Sequence, residues 1–197
     1  MSDVEGIVFD LGGVIAGHDN PVMFAALKAR CAPGLTRELE RLIREDRWGE
    51  GAPLSQLHEI LAAQVGYAGD YGDFVQDWCC HLSLDPAMLD VVEALARRRR
   101  VMILSNTNAL HWEHLVAASE GRLARLEAYL SHDLGVLKPR TEAYLEAAKR
   151  AGLATAGLLF FDDLEANVAG ARAAGLQAEL FTGQAALERS LAVRGLL

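Results

Sequence analysis

The chain has 197 residues, of which 51% are hydrophobic and 23% are charged; this is enough to bury the core of one globular domain. Nineteen Lys and Arg against 27 Asp and Glu give a formal net charge of -8, which disfavours nonspecific binding to nucleic acid or to an anionic membrane. The first residues lack the pattern of a signal peptide, no apolar run could span a membrane, and the three cysteines fit neither a disulfide framework nor a zinc site. We therefore expect a cytoplasmic protein with reduced thiols.

The first predicted strand, residues 7–9, is a short apolar run that ends in Asp10 and is followed by Gly12 and Gly13. An apolar run of this length, bounded by glycine, is typical of a strand that is buried on both faces. A carboxylate at its C-terminal end lies where open α/β sheets bind their ligands. Asp10 is therefore a candidate site residue, and a turn-capping Asp is the alternative that this stretch alone leaves open.

Residues 20–81 contain no predicted strand and four predicted helices. Asn20 is the predicted N-cap of the first, and the others begin at about residues 36, 53 and 73. Apolar residues recur at helical spacing, as in Leu54, Leu57 and Leu61, which indicates the core of a helical bundle.

From residue 82 onwards the pattern alternates between helices and strands. Predicted strands cover residues 101–104, 126–130, 157–161 and 177–181. Such alternation predicts an α/β fold with a Rossmann-like parallel sheet and helices on both faces. We predict a core domain made of residues 1–17 and 82–197, with residues 18–81 inserted as a helical cap domain over the strand ends.

Polar residues follow several of these predicted strands. Because the C-terminal ends of parallel strands meet at one edge of a sheet, we expect their side chains to lie in one cleft with Asp10. Clustered carboxylates repel one another unless a cation neutralises them, and hard oxygen ligands suit Mg²⁺. Together with a lysine and a hydroxyl they would cradle a phosphoryl group, and one carboxylate can act as a nucleophile. Taken singly, each residue can instead be a helix cap or a surface group. The residues concerned are Ser105, Asn106, Lys138, Asp162 and Asp163.

Four stretches, VFDLGGV, LSNTN, LKP and FFDDLEAN, resemble the four ordered motifs of the haloacid dehalogenase superfamily. The similarity is closest to members with a helical cap after the first motif, such as glucose-1-phosphate phosphatase-like proteins and the phosphatase domain of epoxide hydrolases. It implies a Mg²⁺-dependent phosphatase that hydrolyses a small phosphorylated metabolite, such as a sugar phosphate, through an aspartyl-phosphate. We expect a monomer or homodimer without nucleic-acid or membrane partners.

The resemblance also implies a role for each matching residue. Asp10 would be the nucleophile, and Lys138 would neutralise charge on the nucleophile and the phosphate. Asn167 would orient Lys138 or the cap. The Mg²⁺ ligands would be Asp10, the Gly12 carbonyl and Asp163, with Asp162 in the same shell. The phosphoryl oxygens would contact Ser105, Asn106, Lys138, Gly12 and Gly13.

Gly12 departs from the family pattern, because most phosphatases of the superfamily carry an Asp two residues after the nucleophile. That Asp protonates the leaving group and later activates water. His18 and Asp19 are candidate replacements. A substrate with a good leaving group is one alternative, and a weakly active or non-catalytic phosphate-binding protein is another. A haloacid dehalogenase is a third alternative, against which the Asp162-Asp163 pair argues.

A few further residues are weaker candidates. Trp48, Glu50 and Tyr67 would contact substrate from the predicted cap, although aromatic residues in a small bundle usually belong to its core. His111 and His114 share one helix face, but without a third ligand we expect them on the surface.

Overall fold

The computed structural model describes residues 4–197 and contains seven strands and ten α-helices within that range. The strands are β1 (Gly6–Phe9), β2 (Ala16–His18), β3 (Leu82–Leu84), β4 (Val101–Ser105), β5 (Glu127–Leu130), β6 (Leu158–Asp162) and β7 (Gln177–Leu180). The helices are α1 (Asn20–Ala29), α2 (Thr36–Ile43), α3 (Leu54–Val65), α4 (Tyr71–Cys79), α5 (Pro86–Ala96), α6 (Ala109–Ala118), α7 (Ser131–Leu134), α8 (Thr141–Ala151), α9 (Glu165–Ala173) and α10 (Gln184–Val193).

Five of the strands form a parallel sheet in the order β5-β4-β1-β6-β7. β1 therefore lies in the middle, between β4 and β6, and the strand order reverses on either side of it. This arrangement confirms the predicted Rossmann-like α/β fold. It also brings the C-terminal ends of β1, β4 and β6 next to one another, at the place where open α/β sheets bind ligands.

Both faces of the sheet are buried, which explains why its strands are apolar throughout. Successive side chains of β1 alternate between the faces: Ile7 and Phe9 join one hydrophobic cluster and Val8 joins the other. The first cluster includes residues of α5 and α10, and the second includes residues of α8 and α9.

Helices α1–α4 have a hydrophobic cluster of their own, which includes Leu27, Leu57, Leu61 and Phe74. We call residues 20–79 the helical unit. A two-stranded antiparallel ribbon, β2 with β3, joins it to the sheet, and His18 pairs with Leu82 in this ribbon. The sequence did not predict the ribbon, because strands of three residues are too short for an alternating pattern to be recognised.

Several helices begin at residues other than the predicted ones. Asp19, rather than Asn20, occupies the N-cap position of α1. α4 begins at Tyr71, two residues before the predicted start, because Asp70 and Asp73 form a reciprocal capping box with N–H···O distances of 2.8 and 3.2 Å. Residues 131–134, directly after the predicted strand over residues 126–130, form the short helix α7.

No helix in the described part of the chain combines the length and the apolar character needed to cross a membrane.

Candidate active site

A cavity of about 400 Å³ lies between the C-terminal ends of the sheet strands and the helical unit. This volume is typical of small-molecule sites. The helical unit contributes Ile43, Arg44, Asp46, Trp48 and Trp78 to its lining. We call five residues at the base of the cavity the floor: Asp10, Ser105 and Asp163 line it, and Lys138 and Asp162 lie directly behind them.

Asp10 directly follows β1 and is 7% exposed. Its Oδ1 accepts a 2.6 Å hydrogen bond from the Leu11 backbone N–H and lies 2.9 Å from the Nζ of Lys138. No residue within 4–197 donates a hydrogen bond to Oδ2. One carboxylate oxygen is therefore held in place and the other is available for chemistry.

Lys138 lies beneath Asp10, with a side chain that is 1% exposed. Its Nζ lies 2.9 Å from the Leu104 carbonyl oxygen, 2.7 Å from Asp162 Oδ2 and 2.9 Å from Asp10 Oδ1. An ammonium group has three N–H donors, so all of them are used. Lys138 therefore orients and neutralises the carboxylates, and a phosphate could contact it only by displacing one of these partners.

Asp162, the last residue of β6, is fully buried. Each of its oxygens accepts two hydrogen bonds: Oδ1 from the Leu164 N–H at 2.9 Å and from Asn167 Nδ2 at 3.0 Å, and Oδ2 from Lys138 and again from Asn167. Asn167 therefore contacts Asp162, whereas the sequence predicted that it orients Lys138 or the cap. Its effect on Lys138 passes through this carboxylate.

The floor carries more negative than positive charge. Oxygens of Asp10, Asp162 and Asp163 lie within 4.8 Å of one another, and Lys138 supplies one positive charge against these three carboxylates. Burial raises the pKa of Asp10, although the Lys138 ammonium lowers it, and burial and the Asp162 charge raise the pKa of Asp163. A divalent cation would relieve this excess, and the hard oxygen donors fit Mg²⁺.

The two glycines after Asp10 have different roles. A Cβ at Gly12 would fit, since it would make only ordinary van der Waals contacts with the His18 imidazole, with Nδ1 at 3.6 Å. Gly13 has φ +73°, and a Cβ there would collide with the Asp163 carboxylate. Its N–H donates to the Ala16 carbonyl oxygen at 2.8 Å. The Gly13 N–H is therefore used in a turn, and the missing side chain lets Asp163 approach; the phosphoryl contact of Gly13 stays a prediction, which would require this hydrogen bond to break.

Ser105 and Asn106, which end and follow β4, also differ from each other. Ser105 lines the cavity, and its hydroxyl makes no hydrogen bond to any described residue, so it is free to bind an oxygen atom. The Asn106 amide instead bonds the Lys138 backbone at both ends, with Nδ2 donating to the carbonyl at 2.8 Å and Oδ1 accepting from the N–H at 2.8 Å. This side chain therefore fixes the Lys138 loop, and because Asn106 also lines the cavity, its contact with a phosphoryl oxygen stays a prediction.

Only some of the weaker candidates for substrate contact and proton transfer line the cavity. Trp48 lines the cavity, but its indole is buried and donates to the Leu42 carbonyl oxygen at 2.7 Å. Tyr67 belongs to the core of the helical unit, and Glu50 pairs with Arg140; neither lines the cavity. His18 lines it beside Gly12, whereas Asp19 does not.

His111 was expected on the surface but is partly buried, while His114 is exposed. The His111 ring stacks on Trp78 with centroids 5.3 Å apart, and its Nε2 lies 3.1 Å from the Trp78 carbonyl oxygen. Burial lowers its pKa to about 3, so the ring is neutral at physiological pH. His81, Trp78 and Arg44 line the cavity as well, and the sequence analysis singled out none of them.

Comparison with known proteins assigns the chain to a hydrolase family and finds relatives that are named phosphatases. Residues 4–175 match the family described as haloacid dehalogenase-like hydrolase. Phosphatase MT3486 of Mycobacterium tuberculosis (strain CDC 1551 / Oshkosh) is 28% identical over 196 residues, covering 90% of this chain and 87% of that protein. Enolase-phosphatase E1 of Caenorhabditis elegans is 24% identical over 156 residues, and this chain spans 58% of its length.

Solved structures show the same fold. The HAD family enzyme bt-2542 from Bacteroides thetaiotaomicron, in complex with magnesium and inorganic phosphate, superimposes with a TM-score of 0.79 at 21% identity, covering 92% of this chain and 96% of that one. A HAD-like family hydrolase from Porphyromonas gingivalis gives a TM-score of 0.82 at 23% identity, with 96% and 98% covered. The L-2-haloacid dehalogenase RSc1362 gives 0.61 at 22% identity, with 92% and 87% covered.

Proposed function

Because the chain belongs to the haloacid dehalogenase-like hydrolase family, we propose that it is a Mg²⁺-dependent phosphatase that hydrolyses small phosphorylated metabolites. The observation that carries this proposal is the pair of Asp10 oxygens: Lys138 and the Leu11 N–H hold one, and the other is free. The relatives named as phosphatases support it, as does the similar structure with magnesium and inorganic phosphate.

Each residue of the floor then has a distinct role. Asp10 Oδ2 attacks the phosphorus atom, the bond to the leaving oxygen breaks, and an aspartyl-phosphate forms. Ser105 donates its free hydroxyl to a phosphoryl oxygen. Asp162, Asn167 and Lys138 hold Asp10 in position. A Mg²⁺ ion bound by Asp10, Asp163 and the Gly12 carbonyl would offset the negative charge of the phosphoryl group.

Proton transfer in this proposal falls to His18, because Gly12 has no side chain and the His18 imidazole lies beside it. His18 protonates the leaving oxygen in the first step. In the second step it takes a proton from the water that attacks the aspartyl-phosphate, which releases inorganic phosphate and restores Asp10. The helical unit acts as the cap: it closes the cavity from above, and the β2–β3 ribbon connects it to the floor.

Hydrolysis of a chromogenic aryl phosphate tests this proposal. We expect activity with Mg²⁺, none with EDTA, and a loss of at least about 1000-fold in Asp10→Asn. Asp70→Asn is the matched control, since it makes the same change at an exposed helix cap where Asn serves equally well. Thermal unfolding checks that both variants are folded. Metal-independent release of halide from a haloacid, without phosphatase activity, would instead favour a dehalogenase.

A further inference from the structure

Arg44 lies over the cavity at the end of α2, and its side chain is exposed. We call residues 44–50 the wall segment. Arg44 is the one Lys or Arg that lines the cavity within residues 4–197. Lys138, in the floor, does not line the cavity, and its three donors are in use. Among residues 4–197, the Arg44 guanidinium is therefore the only permanent positive charge that faces the cavity space.

Every carboxylate of the wall segment already has a cationic partner. Glu45 pairs with Arg41 at 3.0 Å and with Arg47 at 2.6 Å. Asp46 and Glu50 both pair with Arg140, at 3.4 and 2.6 Å. By contrast, the Arg44 side chain forms neither an ion pair nor a hydrogen bond with any residue that the structure describes. Its five N–H donors are available to a ligand.

The backbone of the wall segment is held at both sides: Arg44 directly follows α2, and hydrogen bonds hold the segment near residues 48 and 49. The buried Trp48 indole fixes it to α2 through the Leu42 carbonyl oxygen. At the next residue, the Gly49 carbonyl oxygen accepts a 2.6 Å hydrogen bond from the hydroxyl of Ser131, the first residue of α7. The backbone that carries Arg44 is therefore fixed to the rest of the protein, while the exposed Arg44 side chain can turn towards a ligand in the cavity.

Two of the three histidines that line the cavity do not compete with Arg44 for an anion. Burial lowers the pKa of His81 and lowers that of His111 to about 3, so both rings are neutral at physiological pH. His18 lies low in the cavity, beside Gly12.

We propose that Arg44 binds a second anionic group of the substrate, so that the preferred substrates are phosphate monoesters that also carry a carboxylate or another phosphate. This inference rests on the proposed phosphatase function. The guanidinium matches either group, because its planar fork donates two parallel hydrogen bonds to a carboxylate or a phosphate. Phosphorylated organic acids and small bisphosphates are the two classes that fit.

Competitive inhibition of aryl phosphate hydrolysis tests the inference without depending on the leaving group. The probes are alkylphosphonates with chains of two to five carbons whose far end is a methyl, a carboxylate or a second phosphonate. We expect the anionic compounds of at least one chain length to bind the parent protein about 10- to 100-fold more tightly than the methyl compound, as for a hydrogen bond between charged groups. Tighter binding of the carboxylate compounds would indicate phosphorylated organic acids, and tighter binding of the bisphosphonates would indicate small bisphosphates.

Variants then assign the preference to Arg44. We expect Arg44→Gln to lose the tighter binding of the anionic phosphonates over the methyl compound. Arg44→Lys should keep part of this difference, because lysine retains the positive charge but lacks the planar guanidinium with its two parallel donors. Arg37→Gln is the matched control: Arg37 lies on the same helix, is exposed and does not line the cavity. Turnover of 3-phosphoglycerate and glycerol 3-phosphate, which differ in one carboxylate, should show the same pattern, mainly in KM.

Equal inhibition by methyl and anionic compounds at every chain length would overturn the inference. So would a preference that survives in Arg44→Gln, or one that Arg37→Gln lowers equally. These outcomes are distinct from failure of the proposed function, which would appear as the absence of Mg²⁺-dependent aryl phosphate hydrolysis in the parent protein.

Discussion

The floor of the cavity and the wall segment both contain clusters of opposite charges, but they hold them in different ways. In the floor, Lys138 and Asp162 are almost completely buried, and their donors and acceptors are all used. In the wall segment, the ion pairs of Arg140 with Asp46 and Glu50 lie at the surface, and the Arg140 side chain is 53% exposed.

In the proposed phosphatase, this difference separates catalysis, assigned to the floor, from substrate selectivity, assigned to the wall segment. Buried charges cost much to leave unpaired, so the floor has one arrangement that few substitutions preserve. Exposed pairs contribute little each, so the wall segment can change its residues while the fold is retained. A site built in this way can keep one reaction and alter the substrates that it accepts.

The largest effect is expected where the buried network is broken. Lys138→Met leaves Asp10 and Asp162 buried without their cation, which should lower the free energy of unfolding by about 3–5 kcal/mol and abolish hydrolysis. Urea denaturation in EDTA at neutral pH measures the stability. Lys149→Met is the control, because the Lys149 side chain is 79% exposed and pairs with Glu146 at 3.3 Å, a contact that contributes at most about 1 kcal/mol. Similar losses in the two variants would show that the floor is no more sensitive than the surface.

Much of the floor could be predicted from the sequence. Asp10, Ser105 and Asp162 each follow or end an apolar strand, and the geometry of a parallel sheet brings such positions together. The hydrogen bonds between these residues could not be predicted. Asn106 bonds the backbone of Lys138, 32 residues away, and such a contact depends on how two loops pack rather than on any local pattern.

The wall segment was less predictable for a related reason. An arginine at the end of an amphipathic helix is typical of a solvated position, and nothing near Arg44 in the sequence distinguishes it from Arg37 or Arg41. Its place over the cavity follows from the packing of the helical unit on the sheet. The short β2–β3 ribbon, which contributes to that packing, has no detectable sequence pattern either.

An intermediate effect is expected at Gly12, which has no side chain and leaves proton transfer to His18 in the proposed mechanism. Gly12→Asp should raise kcat/KM for alkyl phosphates by at least about 10-fold, since general acid catalysis contributes roughly 10²- to 10⁴-fold. The gain should be smaller for aryl phosphates, whose leaving groups need no proton. A Cβ atom at position 12 would make only ordinary van der Waals contacts with the His18 imidazole. Gly12→Asn is the matched control, with nearly the same shape but no acidic proton. Equal kcat/KM values for the two variants would show that a carboxylic acid at position 12 adds nothing to the proton transfer by His18.

The smallest effect is expected when the exposed pairs of the wall segment are broken. Arg140→Gln removes the contacts with Asp46 and Glu50, each of which contributes about 0–1 kcal/mol, so KM should rise by at most about 5-fold while stability changes little. Arg150→Gln is the control, because Arg150 is similarly exposed, at 42%, and its partner Glu146 lies on its own helix; its KM should not change. High salt screens surface charges, so the KM difference between Arg140→Gln and the parent should narrow in 1 M NaCl.

A loss of stability in Arg140→Gln as large as that in Lys138→Met would mean that the wall segment belongs to the same rigid network as the floor, and the division between catalysis and selectivity would then be wrong.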